Sequence, residues 1–352
     1  MSSRLKDIVK YLLSILLTGV FLYLAFKDTD FVRLWEELGK ANYWWVLAMF
    51  PLLLLSHAFR AMRWAYLLRP VKRDLRFRNL YSALMVGYMM NNVLPRAGEL
   101  VRPYAINKLE GVSRSTAFGT VFVERIFDII SFMIVIALIP LVYNGPLTTA
   151  FPWLEETGIW VTAVTFAFLA AFTFLMLRRD IVMRILGGVT RKLPPAKAQL
   201  VEHVTHSFLD GFLFLKEPSS YAVIGVLSVL VWGLYIVMMY LPFYAFGLTE
   251  RYGLDMGAAM VVQAIGSIGI LIPTPGGTGP YHFFTIQTLT KLYGVDAELA
   301  VSYATMTHAV GFIGITLVGI GYFLRDRLHM ADVMKQNLEA ETSDAGDPAR
   351  SS

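Results

Sequence analysis

Six charged side chains lie within or beside apolar segments of this 352-residue sequence, and they are the residues best suited to do chemistry. They are Arg96, Glu99, Arg102, Glu124, Arg125 and Asp128. An ionised side chain at the centre of a bilayer costs about 3 kcal/mol even on lenient scales. Ion pairs of Arg96 or Arg102 with Glu124 or Asp128, and of Arg125 with Glu99, would offset most of this cost, and an arginine left over could hold a phosphate with two hydrogen bonds. If the chain is helical from about Ala97, the spacing of three residues puts Arg96, Glu99 and Arg102 on one helix face. The pattern therefore predicts an anion-binding site.

A second interpretation gives these charged residues a structural role only, in which their ion pairs lock one broken segment to the helix bundle. Asn91 and Asn92, just before the break, fit either a helix cap or a ligand contact. His282 and His308 fit either a hydrogen-bonded core position or a proton-linked role. We count Asn91, Asn92 and His282 with the candidate substrate-binding residues.

Another polar helix face lies near the end of an apolar run, where His57, Arg60 and Arg63 follow one another at intervals of three residues. Because basic sequence comes next, the two arginines are expected to reach the cytoplasmic headgroups along their apolar stems. Binding of a lipid phosphate by this face is the alternative.

The composition is that of a membrane protein. Hydrophobic residues make up 56% of the chain, charged residues 16%, and the mean hydropathy is +0.55. Several apolar runs reach the ~20 residues that a helix needs to cross a bilayer, which excludes a soluble enzyme. The chain has no cysteine, so disulfides and thiolate metal sites are excluded, and we expect neither a metal nor a cofactor. The net charge of +5 indicates topology rather than nucleic-acid binding, because the basic residues lie between spans.

Six full spans are predicted, at 8–26, 43–68, 115–143, 159–177, 221–246 and 299–324. Basic connections mark the cytoplasmic side, above all the connection that contains Arg184, whereas the acidic loop with Glu155 lies outside. Both termini are then cytoplasmic, and the protein is expected in the cell (inner) membrane. Residues 1–330 form one transmembrane domain, and the acidic segment 331–352 is expected to be a disordered tail.

Two further apolar segments, 79–109 and 257–293, are interrupted by residues that break helices. The breaks contain Pro95 and Gly98 in the first segment and Pro273, Pro275, Gly276, Gly277 and Gly279 in the second. Each segment is predicted to be a helix, a break and another helix. Each forms either a re-entrant hairpin or a pair of short spans, and the second case raises the total to eight crossings.

The order of span, broken hairpin and span occurs twice, at 43–143 and 221–324, and the two units run in opposite directions. Inverted units with interrupted helices near the midplane are typical of secondary transporters. Non-helical backbone at that depth is tolerated only inside protein or beside a wet cavity. The predicted fold is an all-α polytopic membrane protein with an inverted repeat and a central cavity.

Three ordered motifs resemble the lysylphosphatidylglycerol synthase transmembrane family, a flippase-like family that includes the translocase part of the multiple peptide resistance factors. The motifs are Asn92-x-x-Pro95-x-x-Gly98-Glu99-x-x-Arg102, Glu124-Arg125-x-x-Asp128 and Pro273-x-Pro275-Gly276-Gly277-x-Gly279. The similarity runs from about Leu5 to Leu328. Members look like polytopic proteins that move or present lipids with phosphate-bearing headgroups, and some are fused to an aminoacyl-lipid synthase or a glycosyltransferase. His282 stands where a glutamate often follows the last motif, which puts in question a shared coupling mechanism that uses this carboxylate.

The resemblance and the buried charges lead to a lipid flippase or transporter for an anionic phospholipid, glycolipid or polyprenyl-phosphate lipid. Membrane lipids are the expected partners, and nucleic acid is not. The alternative is a non-catalytic membrane partner of a separately encoded glycosyltransferase or lipid synthase. An enzyme is disfavoured, with no catalytic residues assigned, because the sequence has no Asp-rich diphosphate motif, no H-E-x-x-H and no G-x-S-x-G.

Overall fold

A computed structural model describes residues 3–143, 160, 163–167, 170–171, 174, 178–190, 194–217 and 219–328. The regular elements in these ranges are helices, which confirms the predicted all-α class. The fourth predicted span lies in part, and the loop with Glu155 and the predicted tail lie entirely, outside the described residues.

The helices are listed here with the labels used below. The first six are α1 Ser3–Phe26, α2 Phe31–Lys40, α3 Tyr43–Leu68, α4 Phe77–Val93, α5 Gly98–Glu110 and α6 Arg114–Val142. They are followed by α7 Arg179–Thr190, α8 Pro195–Asp210, α9 Ser219–Ala245, α10 Leu248–Tyr252, α11 Met256–Leu271, α12 Pro280–Tyr293 and α13 Ala297–Arg325. Two single 3-10 turns complete the described elements, Leu213–Lys216 and Pro275–Gly277.

Four of the described helices are long and apolar enough to cross a membrane, namely α3, α6, α9 and α13. The pair of α1 and α2, bent by 83° where they join, would form a fifth candidate span. A multi-span membrane protein is therefore confirmed. The total of six to eight crossings, the inverted repeat and the orientation of the termini stay predictions.

Helix α2 is an element that the hydropathy pattern did not predict. Asp30 starts it, because its side chain accepts hydrogen bonds from the first free backbone N–H groups of the helix. Leu34 and Leu38 are buried, whereas Val32 and Trp35 are exposed on the opposite side. The helix therefore packs one apolar face against the bundle, where it contacts α13.

The first broken segment is a hairpin of two helices in very close contact. A methyl group on Gly98, the first residue of α5, would lie 2.0 Å from the carbonyl oxygen of Gly87 on α4, so the approach requires glycine. The predicted order of helix, break and helix is confirmed. The expectation that Arg96 shares a helix face with Glu99 and Arg102 is wrong, because the turn continues past Arg96, whose φ is +63°.

The second broken segment has the same order of elements. Between α11 and α12 the chain makes a 3-10 turn in which Gly276 and Gly277 have φ of +57° and +74°, a conformation that glycine adopts without strain. A methyl group on Gly269 of α11 would lie 2.8 Å from the carbonyl oxygen of Pro280 on α12. The two helices of this hairpin therefore also meet through backbone.

The two hairpins pack against each other and against the long helices. Helix α4 contacts the 3-10 turn of the second break, and α13 contacts both α4 and α12. Helix α3 packs along α9, and α5 packs against α6. This packing brings polar residues of α3, α5, α6 and α9 together beside the first break.

Candidate functional site

A cluster of charged residues forms where α3, α5 and α6 meet. Arg60 and Arg63 come from α3, Arg102 from α5, and Glu124, Arg125 and Asp128 from α6; we call these six residues the charged cluster. Spacings of three or four residues put Arg60 with Arg63, and Glu124 with Asp128, on one helix face each. The six side chains are therefore positioned by three separate helices.

The ion pairs of the charged cluster are close. Arg63 Nη2 lies 2.6 Å from Asp128 Oδ1. Arg102 Nη2 lies 2.7 Å from Glu124 Oε2, and Arg60 contacts both carboxylates. Since the Glu124 side chain is 0% exposed, these pairs are shielded from water, where removal of one partner is costly.

Arg60 and Arg63 do not reach the headgroups, so the prediction that they do is wrong. Their side chains are 6% and 0% exposed. The physical reason is that Glu124 and Asp128 of α6 form ion pairs with the two arginines. These pairs stabilise the buried guanidinium groups, so contact with water or headgroups is not needed.

Neutral side chains complete the surroundings of the arginines. Arg60 Nη1 donates to the Tyr235 hydroxyl at 2.7 Å, and Arg63 Nη1 donates to Ser228 Oγ at 3.0 Å. The guanidinium carbon of Arg102 lies 4.3 Å from the centre of the Trp64 ring, a cation–π contact. Helix α9 therefore supports the cluster through uncharged polar groups.

Several buried donors of the site have no hydrogen-bond partner in the described part of the chain. Two belong to Arg102, Nε and Nη1, and one is Arg63 Nε. The hydroxyl of Tyr88 is also without a partner among the described residues. Nε2 of His57, whose ring lies 4.7 Å from that of Tyr88, has no partner there either, but it is an acceptor, because His57 Nδ1 donates to the Leu53 carbonyl oxygen at 2.8 Å. Because buried polar groups are nearly always hydrogen-bonded, the site has donors to spare for an acceptor.

Positive charge exceeds negative charge in the charged cluster, which contains four arginines and two carboxylates. A further carboxylate, that of Glu99, lies 3.8 Å from Arg125 Nε and is 37% exposed. One positive charge is in excess even when Glu99 is counted. Within the described ranges no three His, Asp or Glu side chains are arranged to hold a metal ion. A surplus of guanidinium groups is suited to an anion.

The predicted pairs of Arg102 with Glu124 and of Arg125 with Glu99 are both present. Arg96 is different: it is exposed and forms no ion pair with any residue that the structure describes. The anion-binding role predicted for Arg96 thus has no support from burial or contacts, whereas Arg102 has both.

The two asparagines of the first break have different contacts. Asn91 Oδ1 accepts a hydrogen bond of 2.7 Å from the Gly98 backbone N–H, so it caps the start of α5. Asn92 Nδ2 donates to the carbonyl oxygen of Phe312 on α13 at 3.1 Å. A methyl group on Gly276 would lie 2.9 Å from Asn92 Oδ1. Asn92 therefore joins the first break to the second.

A pair of histidines lies at the second break. The rings of His282 and His308 are 4.6 Å apart, and His308 Nε2 lies 3.1 Å from the carbonyl oxygen of Gly276. His282 Nδ1 accepts a hydrogen bond of 3.4 Å from the backbone N–H of Gly279. The histidines thus satisfy backbone groups that the break frees from helical hydrogen bonding.

Several members of the site lie outside the six charged residues from which the sequence predicts an anion-binding site. The spacing of Arg60 and Arg63 indicates that both lie on one face of α3. Carboxylates on a neighbouring helix such as α6 could pair with that face. Tyr88, Ser228 and Tyr235 show no such pattern, since tyrosine and serine are common in apolar helices of this protein.

Comparison with known proteins gives the family context of this site. The chain matches a family described as the lysylphosphatidylglycerol synthase TM region over residues 11–319. A UPF0104 membrane protein of Methanothermobacter thermautotrophicus is 29% identical over 300 residues, which cover 81% of this chain and 86% of the relative. A UPF0104 membrane protein of Methanocaldococcus jannaschii is 21% identical over 325 residues, covering 89% and 94% of the two chains.

A third relative has a longer chain. It is the glycosyltransferase AglD of Haloferax volcanii, 22% identical over 366 aligned residues that cover 96% of this chain and 57% of the relative. No solved structure matches the chain. Because the family match extends over nearly all of the spans and both hairpins, the protein belongs to the lysylphosphatidylglycerol synthase transmembrane-region family.

Proposed function

We propose that this protein is a lipid transporter that moves or presents an anionic, phosphate-bearing lipid across the membrane. The observation that carries the proposal is the surplus of buried guanidinium groups in the charged cluster. Arg102 in particular keeps Nε and Nη1 free of any described partner although its side chain is only 3% exposed. A phosphate offers several acceptor oxygens to such donors and supplies the missing negative charge.

The exposed edge of the site favours a lipid rather than a water-soluble anion. Arg125 and Glu99 are 34% and 37% exposed, unlike the rest of the site. The surface beside them is apolar, with Val93, Leu94 and Leu100 exposed. A headgroup that enters between Arg125 and Glu99 can keep its acyl chains against this apolar surface, so amphiphilic anions are favoured.

The two breaks support movement of the headgroup beyond the charged cluster. Helical backbone in lipid has no spare hydrogen-bonding groups, whereas broken helices expose them inside the protein. The first break lies about one helical turn past Tyr88 on α4, and Asn92 contacts Gly276 of the second break. In this proposal the headgroup passes from the arginines to the breaks while the hairpins shift against each other.

Reconstitution tests the proposal directly. The purified protein is placed in vesicles that contain a fluorescent phosphatidylglycerol, and movement between leaflets is followed by chemical quenching of the outer leaflet. We expect movement that depends on Arg102, with Arg102→Gln lowering the rate at least tenfold. The matched control is Arg33→Gln, since Arg33 is 72% exposed and far from the cluster in sequence. Equal rates for wild type, Arg102→Gln and protein-free vesicles would refute a transport role for these lipids.

One observation favours a second function, that of a membrane partner for a glycosyltransferase. The relative named glycosyltransferase AglD aligns with nearly all of this chain but has additional sequence, since the alignment covers only 57% of it. In this alternative the chain holds a separately encoded enzyme or its lipid at the membrane without moving lipid. Co-purification of a glycosyltransferase from native membranes, together with the absence of lipid movement in vesicles, would favour it.

A further inference from the structure

The second break lies within a long stretch of sequence that has no charged residue, and a second such stretch forms most of α13. From Met256 to Thr290, and again from Leu299 to Leu324, the sequence has no Asp, Glu, Lys or Arg. These stretches contain α11, the second break, nearly all of α12 and most of α13. The second break therefore differs sharply from the charged cluster at the first.

Neutral polar groups are abundant at the second break. The rings of His282 and His308 lie side by side there at an angle of 51°, and His308 contacts the Gly276 carbonyl. The Tyr281 hydroxyl lies 2.9 Å from Thr307 Oγ1. Such hydroxyl, imidazole and carbonyl groups can donate or accept hydrogen bonds but carry no charge to balance an ammonium group.

Buried hydroxyls of this region that have no hydrogen-bond partner among the described residues include those of Thr274 and Thr305. Thr274 lies in the break itself, between its two prolines, is 4% exposed, and its Oγ1 has no hydrogen-bond partner within the described ranges. The same holds for Oγ1 of Thr305, which lies three residues before His308 and so on the same side of α13. An unpartnered buried hydroxyl destabilises the free protein, and a ligand hydroxyl would remove this cost.

The neutral region is contiguous with the charged cluster. The Arg60 guanidinium carbon lies 5.4 Å from the centre of the Tyr88 ring. Tyr88 and Asn92 are one helical turn apart, about 6 Å along α4, and a methyl group on Gly276 would touch Asn92. A ligand whose phosphate binds the arginines could therefore extend its headgroup toward the second break.

We propose that the lipid carries a neutral, hydroxyl-bearing headgroup beyond its phosphate, such as a glycerol or a sugar, and that the second break recognises this headgroup. The inference rests on the proposed transport function and specifies its substrate class. A cationic headgroup, as in an aminoacylated lipid, would have to lose its hydration without a carboxylate to replace it. A hydroxyl-bearing headgroup finds matching donors and acceptors.

A series of lipids with the same acyl chains tests the inference in reconstituted vesicles of the full chain. The series consists of fluorescent phosphatidic acid, phosphatidylglycerol and lysyl-phosphatidylglycerol. We expect phosphatidylglycerol to move at least tenfold faster than lysyl-phosphatidylglycerol and faster than phosphatidic acid. Movement of the lysylated lipid at an equal or higher rate would overturn the inference and leave the transport function intact. No movement of any lipid would overturn the transport function and, with it, the inference.

The variant Thr274→Val gives a second readout that a purely structural role would not affect. Valine has the shape of threonine and removes an unpartnered hydroxyl, so the stability of the free protein should be unchanged or higher. The ratio of phosphatidylglycerol to phosphatidic acid movement should nevertheless fall at least threefold. Thr290→Val is the control, because the Thr290 hydroxyl bonds its own helix at the carbonyl of Ile286. An unchanged ratio in Thr274→Val would contradict recognition of the headgroup at the second break.

Discussion

The guanidinium group of Arg102 binds the Glu124 carboxylate through Nη2 at 2.7 Å and keeps Nε and Nη1 without a partner among the described residues. The stem of Arg102 passes so close to α4 that a methyl group on Gly87 would lie 2.3 Å from its Cγ. Arg102 is thus held by contacts on several sides, while the two nitrogens that carry three of its five N–H groups have no partner among the described residues. Under the proposed function, these free donors are the groups that would bind the lipid phosphate.

Replacement of Arg102 by lysine tests whether lipid movement requires the planar guanidinium group or only a positive charge at this position. Lysine can retain the ion pair with Glu124 but offers a single ammonium group in place of the planar fork. We expect Arg102→Lys to fold and to lower the rate of anionic lipid movement by about tenfold, the loss of roughly one bidentate hydrogen bond. Melting in detergent and the vesicle assay measure the two effects. Arg33→Lys is the exposed control, and a wild-type rate in Arg102→Lys would show that charge alone suffices.

Neutralisation of Asp128 tests whether the cluster accepts an external anion. Asp128 contacts Arg60, Arg63 and Arg125, so Asp128→Asn leaves three guanidinium groups with less negative charge. We expect the free energy of unfolding to fall by about 3–5 kcal/mol.

Anionic lipid should restore much of this stability, because its phosphate can replace the lost carboxylate. The measurement is the melting temperature with and without added phosphatidylglycerol, and the rise should be larger for Asp128→Asn than for wild type. Asp28→Asn, at a residue whose side chain is 85% exposed, should change stability by no more than about 0.5 kcal/mol. Equal rises in wild type and Asp128→Asn would argue against an anion site in the cluster.

The close approach of the two breaks predicts unequal effects of alanine at two glycines with similar backbone conformation. At Gly276, with φ of +57°, an added methyl group would lie 2.7 Å from the Phe312 ring. At Gly294, with φ of +65°, it would meet nothing within 4 Å.

Gly294→Ala should therefore cost only the backbone strain of about 1–2 kcal/mol. Gly276→Ala should cost at least 1 kcal/mol more, because Phe312 and Asn92 must move. Thermal unfolding of the two variants in the same detergent measures the difference. Equal destabilisation would mean that Gly276 does not pack closely against Phe312 and Asn92 in the membrane.

Labelling from one side of the membrane tests the predicted orientation. The native chain has no cysteine, so single replacements give clean signals. An impermeant maleimide added to intact cells should label Glu155→Cys and should label Arg184→Cys only after the cells are opened. The opposite pattern would reverse the orientation, and labelling of both in intact cells would refute the predicted number of crossings between them.

The long spans could be predicted from the sequence almost to the residue. The predicted spans 43–68 and 115–143 correspond to Tyr43–Leu68 and Arg114–Val142 in the structure. Apolar length alone determines these helices, because the hydrocarbon layer requires about 20 residues. Both helix breaks were also predictable, since proline and glycine act locally on the backbone.

The partners of the buried arginines could not be predicted with the same success. Arg60 and Arg63 lie near the end of an apolar run, where arginine usually reaches the headgroups. Their pairing with Glu124 and Asp128 depends on how α3 packs against α6 and α9, which no local pattern records. The helix face predicted to include Arg96 is wrong for a local reason. Its spacing from Glu99 and Arg102 suggested a shared helix face, but the chain is still in the turn at Arg96 and the helix begins only at Gly98.

The glycine contacts within each hairpin have a mechanical consequence. Backbone lies directly on backbone at Gly87 with Gly98 and at Gly269 with Pro280, so neither pair of helices can slide or rotate internally without a clash. Each hairpin is therefore expected to move as one rigid body. In the proposed transport, the contact between the Asn92 side chain and the Gly276 backbone is then the place where the two hairpins would separate to let a headgroup pass.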